Sequence, residues 1–504
     1  MTTQVDSTVS DARWVPPPGT LALVLELREG LRCAAVRYCH WKSNDMLARS
    51  ASGDNDLDLL VHRSDYQRFS GVLARLGFRH AVAPGGREHP GVSHHYALDP
   101  GSGRLVHIHA HVMLVLGDDT TKNFRLPIEG PYLASVRTDE VLPVPSADFE
   151  LAVFVVRMML KHATWDAVAI GNGRLGTNER RELAWLLERC DPVMTRTIVV
   201  EHLGGIGVDL WQRCLESLTG DVGLPRRLQL GRSVIRALAP HARRPWPEDL
   251  ALRVARKGMW GSRHYLLRWP VRKRLARAGA TVAIVGGDGA GKSTAVEAVG
   301  DWLGSTFVVH RTHLGKPRPS LLTLAVKGPM YLARRAGRLP QTAVTVDSRV
   351  ATGSDFPGTS WAVWHALTAR DRVRAYRRAR RVADKGGIVV SDRWPLPQLK
   401  LMDGSRVSWI LDRMDDPPWL AARLARAERR LYAQIAPPDV LVVLRVDPEV
   451  AVSRRFDEDA AYVRARNTEV FELDWRDTNA VVVDAAQSPE AVLSAIRAAV
   501  WKRL

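Results

Sequence analysis

Cysteine is scarce in this chain: Cys33, Cys39, Cys190 and Cys214 are the only four in 504 residues, and no two form a C-x-x-C pair. So few, so spaced, exclude a disulfide-built scaffold and a paired-thiolate metal site, and they fit a reducing cytoplasm. The chain also lacks any apolar run of about 18 residues, the length a bilayer-spanning helix requires. Its N-terminal residues show no basic segment followed by an apolar core and a cleavage site. The expectation is a cytoplasmic protein that is neither secreted nor membrane-spanning. No repeat recurs at solenoid periods. No DNA- or RNA-binding motif is recognisable, so specific nucleic-acid binding is not expected. Negative charge falls well short of positive, 54 Asp and Glu against 72 Lys and Arg, for a net charge of +18. That excess points to anionic partners such as nucleotides, a phosphorylated substrate, nucleic acid or a membrane surface. A compositional bias toward solvated arginine gives the same count. A chain of 504 residues exceeds one hydrophobic core and suggests roughly three domains.

The most informative stretch is TVAIVGGDGAGKST, residues 281–294. An apolar run, Val282–Val285, reads as a buried strand; a glycine-rich turn follows, and Thr294–Leu303 is compatible with a helix. Gly286, four residues, then Gly291, Lys292 and Ser293 satisfy the phosphate-binding-loop spacing, in which glycines let consecutive N–H groups curl around phosphates. Gly286, Gly287, Asp288, Gly289, Ala290, Gly291, Lys292, Ser293 and Thr294 are the candidate nucleotide contacts. Lys292 would reach the β/γ-phosphates of ATP and the Ser293 hydroxyl would hold Mg2+. The alternative is a glycine-rich strand–helix turn that only resembles such a loop.

Further on, Thr306–His310 reads as a second strand, Ile388–Ser391 as a buried strand ending in Asp392-Arg393, and PPDVLVVLRVDPEVAVSRR (437–455) as a strand and a helix entered at Pro448-Glu449. Short apolar strands alternating with helices predict an α/β fold with a parallel sheet whose ligands lie at the carboxyl ends of the strands. That places Asp392 near the loop and Mg2+. On the loop, the Asp392-Arg393-Trp394 triplet and the PDVLVVLRVDPEVAVSR segment, residues 280–504 resemble thymidylate kinase and its relatives among nucleoside monophosphate kinases.

The resemblance implies an ATP-dependent phosphotransferase. Asp288 would face the acceptor or metal, Asp392 would assist Mg2+ and Arg393 would hold the acceptor phosphate. Arg454, Arg455, Arg464 and Arg466 would lie in a mobile lid, with Arg455 and Arg464 stabilising the transferring phosphoryl group; the loop carries no arginine, so the lid is the natural source of that charge. For any one of them the alternative is a solvated helix face. Val285 replaces the glutamate common before the first glycine. Thr312-His313-Leu314-Gly315 stands where an Arg-Glu-Pro-type acceptor motif is expected, and residues 317–365 look like an insertion. The acceptor is therefore expected to be a nucleotide or another small phosphorylated or hydroxylated molecule.

Nearer the N-terminus, residues 1–18 read as a disordered lead-in and Leu21–Leu31 as a helix. In the strand Asp56–Val61 the carboxylates of Asp56 and Asp58 project from one face, their Cα atoms about 6.5–7 Å apart. Two carboxylates so spaced can share divalent cations beside a triphosphate; an alternating pair also occurs at plain strand ends. On Gly53, Asp56-x-Asp58 and the apolar flank, residues 20–145 resemble the nucleotidyltransferase superfamily of the DNA polymerase β type, especially small-molecule members such as aminoglycoside nucleotidyltransferases. The resemblance implies that Asp56 and Asp58 are metal ligands. Lys42-Ser43 replaces the family's Gly-Ser pair, and the strand Leu105–Leu116 offers His107, His109 and His111 in place of a third carboxylate, so a ligand-binding or degenerate domain is the rival reading. His107 and His111 would stand about 13 Å apart at Cα, too far for all three to meet on one ion. One histidine with Asp56 and Asp58 would suffice for a site; otherwise the three are structural or contact substrate.

The resulting organisation is a lead-in (1–18), a nucleotidyltransferase-like α+β domain (19–147), a helical extension (148–240), a basic linker (241–279) and the phosphate-binding-loop α/β domain (280–504), a parallel sheet flanked by helices. Residues 148–161 predict a core helix and 178–190 an amphipathic one. Residues 257–279 mix Trp260, Tyr265 and Trp269 with a basic cluster, which fits an anionic membrane surface, nucleic acid, or a linker helix packing its aromatics. The combined expectation is a Mg2+- and ATP-dependent kinase joined to a domain that binds or nucleotidylates a small molecule. Its rival is a nucleotide-dependent switch carrying a degenerate nucleotidyltransferase module.

Overall fold

The computed structural model describes residues 16–83, 88–164, 168, 173–220, 222–262, 272–335, 356–455 and 458–504. Most of the expected lead-in, Tyr265 and Trp269 of the basic stretch, residues 336–355 of the insertion and residues 456–457 of the lid lie outside that range. The chain is α/β and divides into two compact units at residues 271 and 272.

In the first unit, strands β1 (Tyr38–His40), β2 (Leu57–Val61), β3 (Arg79–Val82), β4 (Val92–Leu98) and β5 (Leu105–His111) lie in the order β1-β2-β5-β4-β3. Only β2 and β5 run parallel among these pairs. Because successive side chains alternate across a strand, Leu57, Leu59 and Val61 share one face with Val106, Ile108 and Ala110 of β5. That face is the core, covered by Leu27 and Leu31 of the helix Ala22–Cys33 and Phe69 of the helix Tyr66–Arg75. The same alternation puts Asp58, His107, His109 and His111 on the opposite face. The stretch expected as one strand, Leu105–Leu116, is two: β5 ends at His111, and β6 (Leu114–Leu116) pairs instead with β7 (Phe124–Leu126).

The helix Ala147–His162 opens on Ser146, whose Oγ accepts from Phe149 N, and is buried nearly all round. Such a helix must be wrapped by others. The helices Thr177–Arg189, Pro192–His202, Val208–Thr219 and Leu224–Ala237 surround it.

The second unit begins with β8 (Arg274–Leu275). Strands β9 (Ala280–Gly286), β10 (Val309–His313), β11 (Ile388–Asp392), β12 (Val440–Arg445) and β13 (Ala480–Asp484) then form an all-parallel sheet ordered β10-β11-β9-β12-β13. Central β9 is buried throughout, which explains its unbroken apolar run. Its neighbours β11 and β12 lie on opposite sides of it, so a crevice opens beyond the carboxyl end of β9, where α/β sheets bind their ligands. β10 starts three residues later than the sequence suggests. Thr306 and Phe307 N–H groups both turn back to Leu303 O to close the preceding helix, and Phe307 is fully buried. Among the described residues no helix is long and apolar enough to cross a membrane.

Candidate functional site

β9 delivers Gly286 to the mouth of the crevice, and the turn 287–291 hands the chain to the helix Lys292–Gly304. Two glycines are required for different reasons. Gly291 has φ +84°, in the left-handed region that side chains disfavour, with open space around it. At Gly287 a Cβ would overlap the Asn467 side-chain amide. The first N–H groups of a helix have no intrahelical acceptor, and an anion site at this turn would draw on them. Lys292 is buried; its Nζ donates to Gly287 O at 2.6 Å and lies 3.5 Å from Asp288 Oδ1. Ser293 Oγ donates to Asp392 Oδ2 at 3.0 Å, linking the helix to the carboxyl end of β11. Asp392 Oδ1 is buried with no hydrogen-bond partner among the described residues. A hydroxyl beside a carboxylate with an unused oxygen suits a hard cation such as Mg2+. Thr294 is exposed on the same first turn, and Ala290 is buried beneath the turn.

Asp288 joins three cations. Arg393 Nη2 lies 2.9 Å from Oδ1 and Arg466 Nη1 2.5 Å from Oδ2, with Lys292 beside them. Burial raises the Asp288 carboxyl, but Arg466, Lys292 and Arg393 outweigh it and bring it down to about 2. Arg393 has φ +68°, a strained backbone for a non-glycine residue. Its Nη1 lies 3.9 Å from Asp403 Oδ2, and Asp403 is in turn fixed by buried Arg372 at 2.8 Å. Asp288, Arg393, Asp403, Arg406, Tyr462 and Arg466 are among the residues lining a cavity of about 780 Å³.

The expected lid arginines separate. Arg455 pairs with Glu458, its stem near Gly289. Arg454 donates to Ala485 O. Arg464 forms a two-pronged ion pair with Glu449 at 2.5 and 2.9 Å on an exposed surface, away from the cavity lining. Arg466 reaches Asp288 instead, because two residues of an α-helix turn roughly 200° and put 464 and 466 on opposite faces of Ala460–Glu472. Arg466 was expected only as a lid residue, and Asp403, Arg372 and Arg406 were not singled out. No local motif marks them: the Arg372–Asp403 contact joins residues 31 positions apart.

In the first unit, Asp56 and Asp58 do not act as a pair. The parallel register sets Asp58 opposite His109. Asp56 Oδ1 is 2.7 Å from His107 Nδ1, whereas Asp58 Oδ1 lies 3.2 Å from His109 Nδ1 and 3.8 Å from His111 Nε2. The equal two-residue period of β2 and β5 matches carboxylates to imidazoles across the strands rather than to each other. Asp58, His109 and His111 have donor atoms all within 4.8 Å of one another, a group that excludes Asp56 and contains two histidines where one was expected. Lys42 Nζ also lies 3.0 Å from Asp58 Oδ1. Burial raises the Asp58 carboxyl, but Lys42 and the two histidines hold it well below the usual range. Burial pushes His111 down to about 3. Ser43 donates from both N and Oγ to Glu182.

Lys42 and Ser43 line a cavity of about 700 Å³ shared with Trp41, Lys122, Arg157 and Lys161. Burial, and then neighbouring Lys42, lower Lys122 to about 8. Lys122 has no ion-pair partner among the described residues, while Arg157 and Lys161 pair with Glu182 and Glu179.

No protein-family model matches the chain. It is similar to the "Uncharacterized ATP-binding protein YghR" of Escherichia coli strain K12 and to the protein of the same name in Escherichia coli O6:H1. Each is 28% identical over 237 residues, spanning 43% of this chain and 88% of the relative.

Proposed function

We propose that the second unit is a Mg2+- and ATP-dependent phosphotransferase of the thymidylate kinase-like type, acting on a small phosphorylated or hydroxylated acceptor. The observation that carries this reading is the convergence of the glycine turn, Lys292 and the Ser293–Asp392 pair with the Asp288–Arg393–Arg466 network at one mouth of the sheet. The name of the E. coli relatives agrees with ATP as the nucleotide.

ATP would lay its phosphates in the turn, with backbone N–H groups 286–294 around them and Lys292 exchanging Gly287 O for a phosphate oxygen. Ser293 and Asp392 would hold Mg2+, which when bound neutralises charge on the β- and γ-phosphates. The acceptor would occupy the 780 Å³ cavity. Asp288 holds Arg393 and Arg466, which line that cavity, so their charge would be in place before the phosphoryl group moves. Catalysis is then positioning plus charge stabilisation of an in-line transfer. The first unit would bind, or nucleotidylate, a small anionic molecule in its cationic cavity. Specific nucleic acid is not part of this reading, peripheral membrane contact through residues 257–279 is a secondary expectation, and the four free cysteines accord with a cytoplasmic setting.

The test is transfer of labelled γ-phosphate from ATP to a panel of nucleoside monophosphates, sugars, sugar phosphates and polyprenyl phosphates, with Lys292→Ala beside the natural chain. Lys292-dependent labelling of one acceptor class establishes the kinase and names its substrate. ATP binding with no acceptor labelled favours the nucleotide-dependent switch.

A further inference from the structure

We propose that the first unit holds a divalent transition-metal ion, of the zinc, cobalt or manganese class, on Asp58, His109 and His111. The assignment is independent of the phosphotransfer reading, which concerns other residues. Three donors of the right chemistry converge: one carboxylate oxygen and two ring nitrogens, all within 4.8 Å of one another. Donors around one ion at about 2.0–2.2 Å lie roughly 3–4 Å apart, so closure needs side-chain shifts of about 1 Å.

His111 supplies the second, separate observation. It is fully buried, Nδ1 has no hydrogen-bond partner among the described residues, and Nε2 faces Asp58 Oδ1 across 3.8 Å, too far for a hydrogen bond. Buried polar atoms are normally satisfied. A metal on Nε2 would use the lone pair that the protein leaves idle. The rings are held in place: His109 stacks on His94 with centroids 4.5 Å apart, and His111 meets the edge of Trp41 at 5.1 Å.

The donor set decides the class of ion. The superfamily resemblance implies Mg2+ between carboxylates, but Mg2+ is a hard ion that takes oxygen ligands. Here Asp56 is drawn off by His107, and two imidazoles stand where oxygens would be needed. Imidazole with one carboxylate suits first-row transition metals. Lys42 is the competitor: its ammonium, 3.0 Å from Asp58 Oδ1, supplies the positive charge that a metal would replace. It also lines the cationic cavity, so an anionic ligand oxygen entering there is the natural further donor.

The test uses the full chain, stripped of metal by chelation, titrated with Co2+ in excess Mg2+ and followed by visible ligand-field absorption. One equivalent of Co2+ is expected to give a strong imidazole-type band that Zn2+ displaces stoichiometrically. His111→Ala should weaken binding roughly 100-fold or more. His107→Ala, which touches Asp56 and not the three donors, should leave it within about threefold. Because His111 is fully buried, the deciding variant is Lys42→Met, which removes the competing charge and should tighten Co2+ binding roughly tenfold, a gain misfolding cannot produce. No saturable band in the natural chain, a band indifferent to His111→Ala, or unchanged or weaker binding in Lys42→Met overturns the assignment.

Discussion

The glycine turn of the second unit and the Asp58 group of the first both stand where parallel strands lie side by side, yet they are assembled differently. In the turn, residues 286–294 are consecutive and their geometry is mostly backbone, with Asp392 and Arg393 joining from the end of the adjacent strand and Arg466 and Asn467 from a helix. In the Asp58 group each donor is a side chain, and the strands that carry them are brought together by register alone. A backbone site tolerates changes of side chain but not of conformation. A side-chain site has the opposite sensitivity. Charge differs as well: the turn keeps a carboxylate among three cations, whereas the Asp58 group keeps one carboxylate between a lysine and two imidazoles whose basicity burial lowers.

The largest effect should come from Lys292, the cation that the proposed function sets against the nucleotide's phosphates. Lys292→Ala is expected to reduce γ-phosphate transfer by about 1,000-fold or more, whereas Arg464→Ala, whose partner is surface Glu449, should stay within about threefold of the natural chain. Steady-state kinetics on the acceptor found by the panel decides this. Equal losses in both variants would return Arg464 to the site and dissolve the distinction between Arg464 and Arg466.

Next is the carboxylate that holds the network together. Asp288→Ala leaves Arg393, Arg466 and Lys292 mutually repelling around a buried void, and should destabilise the second unit by about 3–5 kcal/mol, read from urea unfolding of the full chain. Its linkage has a definite sign. The folded carboxyl is lowered to about 2 from 3.8, so its contribution is complete above pH 3.8 and is lost as pH falls toward 2. The natural chain should therefore lose more stability than Asp288→Ala over that window.

How much could be read from the sequence follows the same division. The strand, turn and helix at 280–304 were legible because glycine spacing and an apolar run dictate backbone locally. Asp392 was legible because it ends an apolar strand. Arg466 was seen only as one of several lid arginines, since which face of a helix a residue occupies depends on what the helix packs against. The pairing of Asp56 with His107 and Asp58 with His109 was out of reach: a two-residue period is plain in both strands, but shifting the register by two would exchange partners without changing the pattern. Arg372 and Asp403 carried no signal at all, because a buried ion pair across distant chain positions leaves no local spacing.

A smaller effect separates conformation from contact within the turn. Gly291→Ala should cost about 1–2 kcal/mol for φ +84° alone, since nothing lies within 4 Å of its Cβ position. Gly287→Ala should cost about 2–3 kcal/mol, because the new methyl meets an Asn467 amide that is held by Asp288 O and Val463 O. Adding Asn467→Ala should recover much of the second loss and none of the first, which a double-mutant cycle on thermal unfolding measures. Recovery in both would mean that the turn is held by contact throughout.

The effect that is smallest at acid pH lies in the helix beneath the first unit's cavity and contrasts with Asp288. Glu150 is buried, with Asn44 Nδ2 donating to it at 2.8 Å and no ion pair among the described residues, Arg157 acting on it only at longer range, unlike the arginines that contact Asp288. Burial raises its carboxyl to about 8, Asn44 opposing only in part. A folded value above the unfolded 4.5 means that the natural chain is increasingly destabilised as pH rises from 4.5 toward 8, when a proton favoured by the folded state is withdrawn. Glu150→Gln keeps an acceptor for Asn44 and has no proton to lose. It should lie within about 1 kcal/mol of the natural chain at pH 5 and be more stable than it by about 3–4 kcal/mol at pH 8, measured by denaturant unfolding at both values. A gain larger at pH 5 than at pH 8 would mean that Glu150 is held charged by Arg157, and the two units would then treat their buried carboxylates alike.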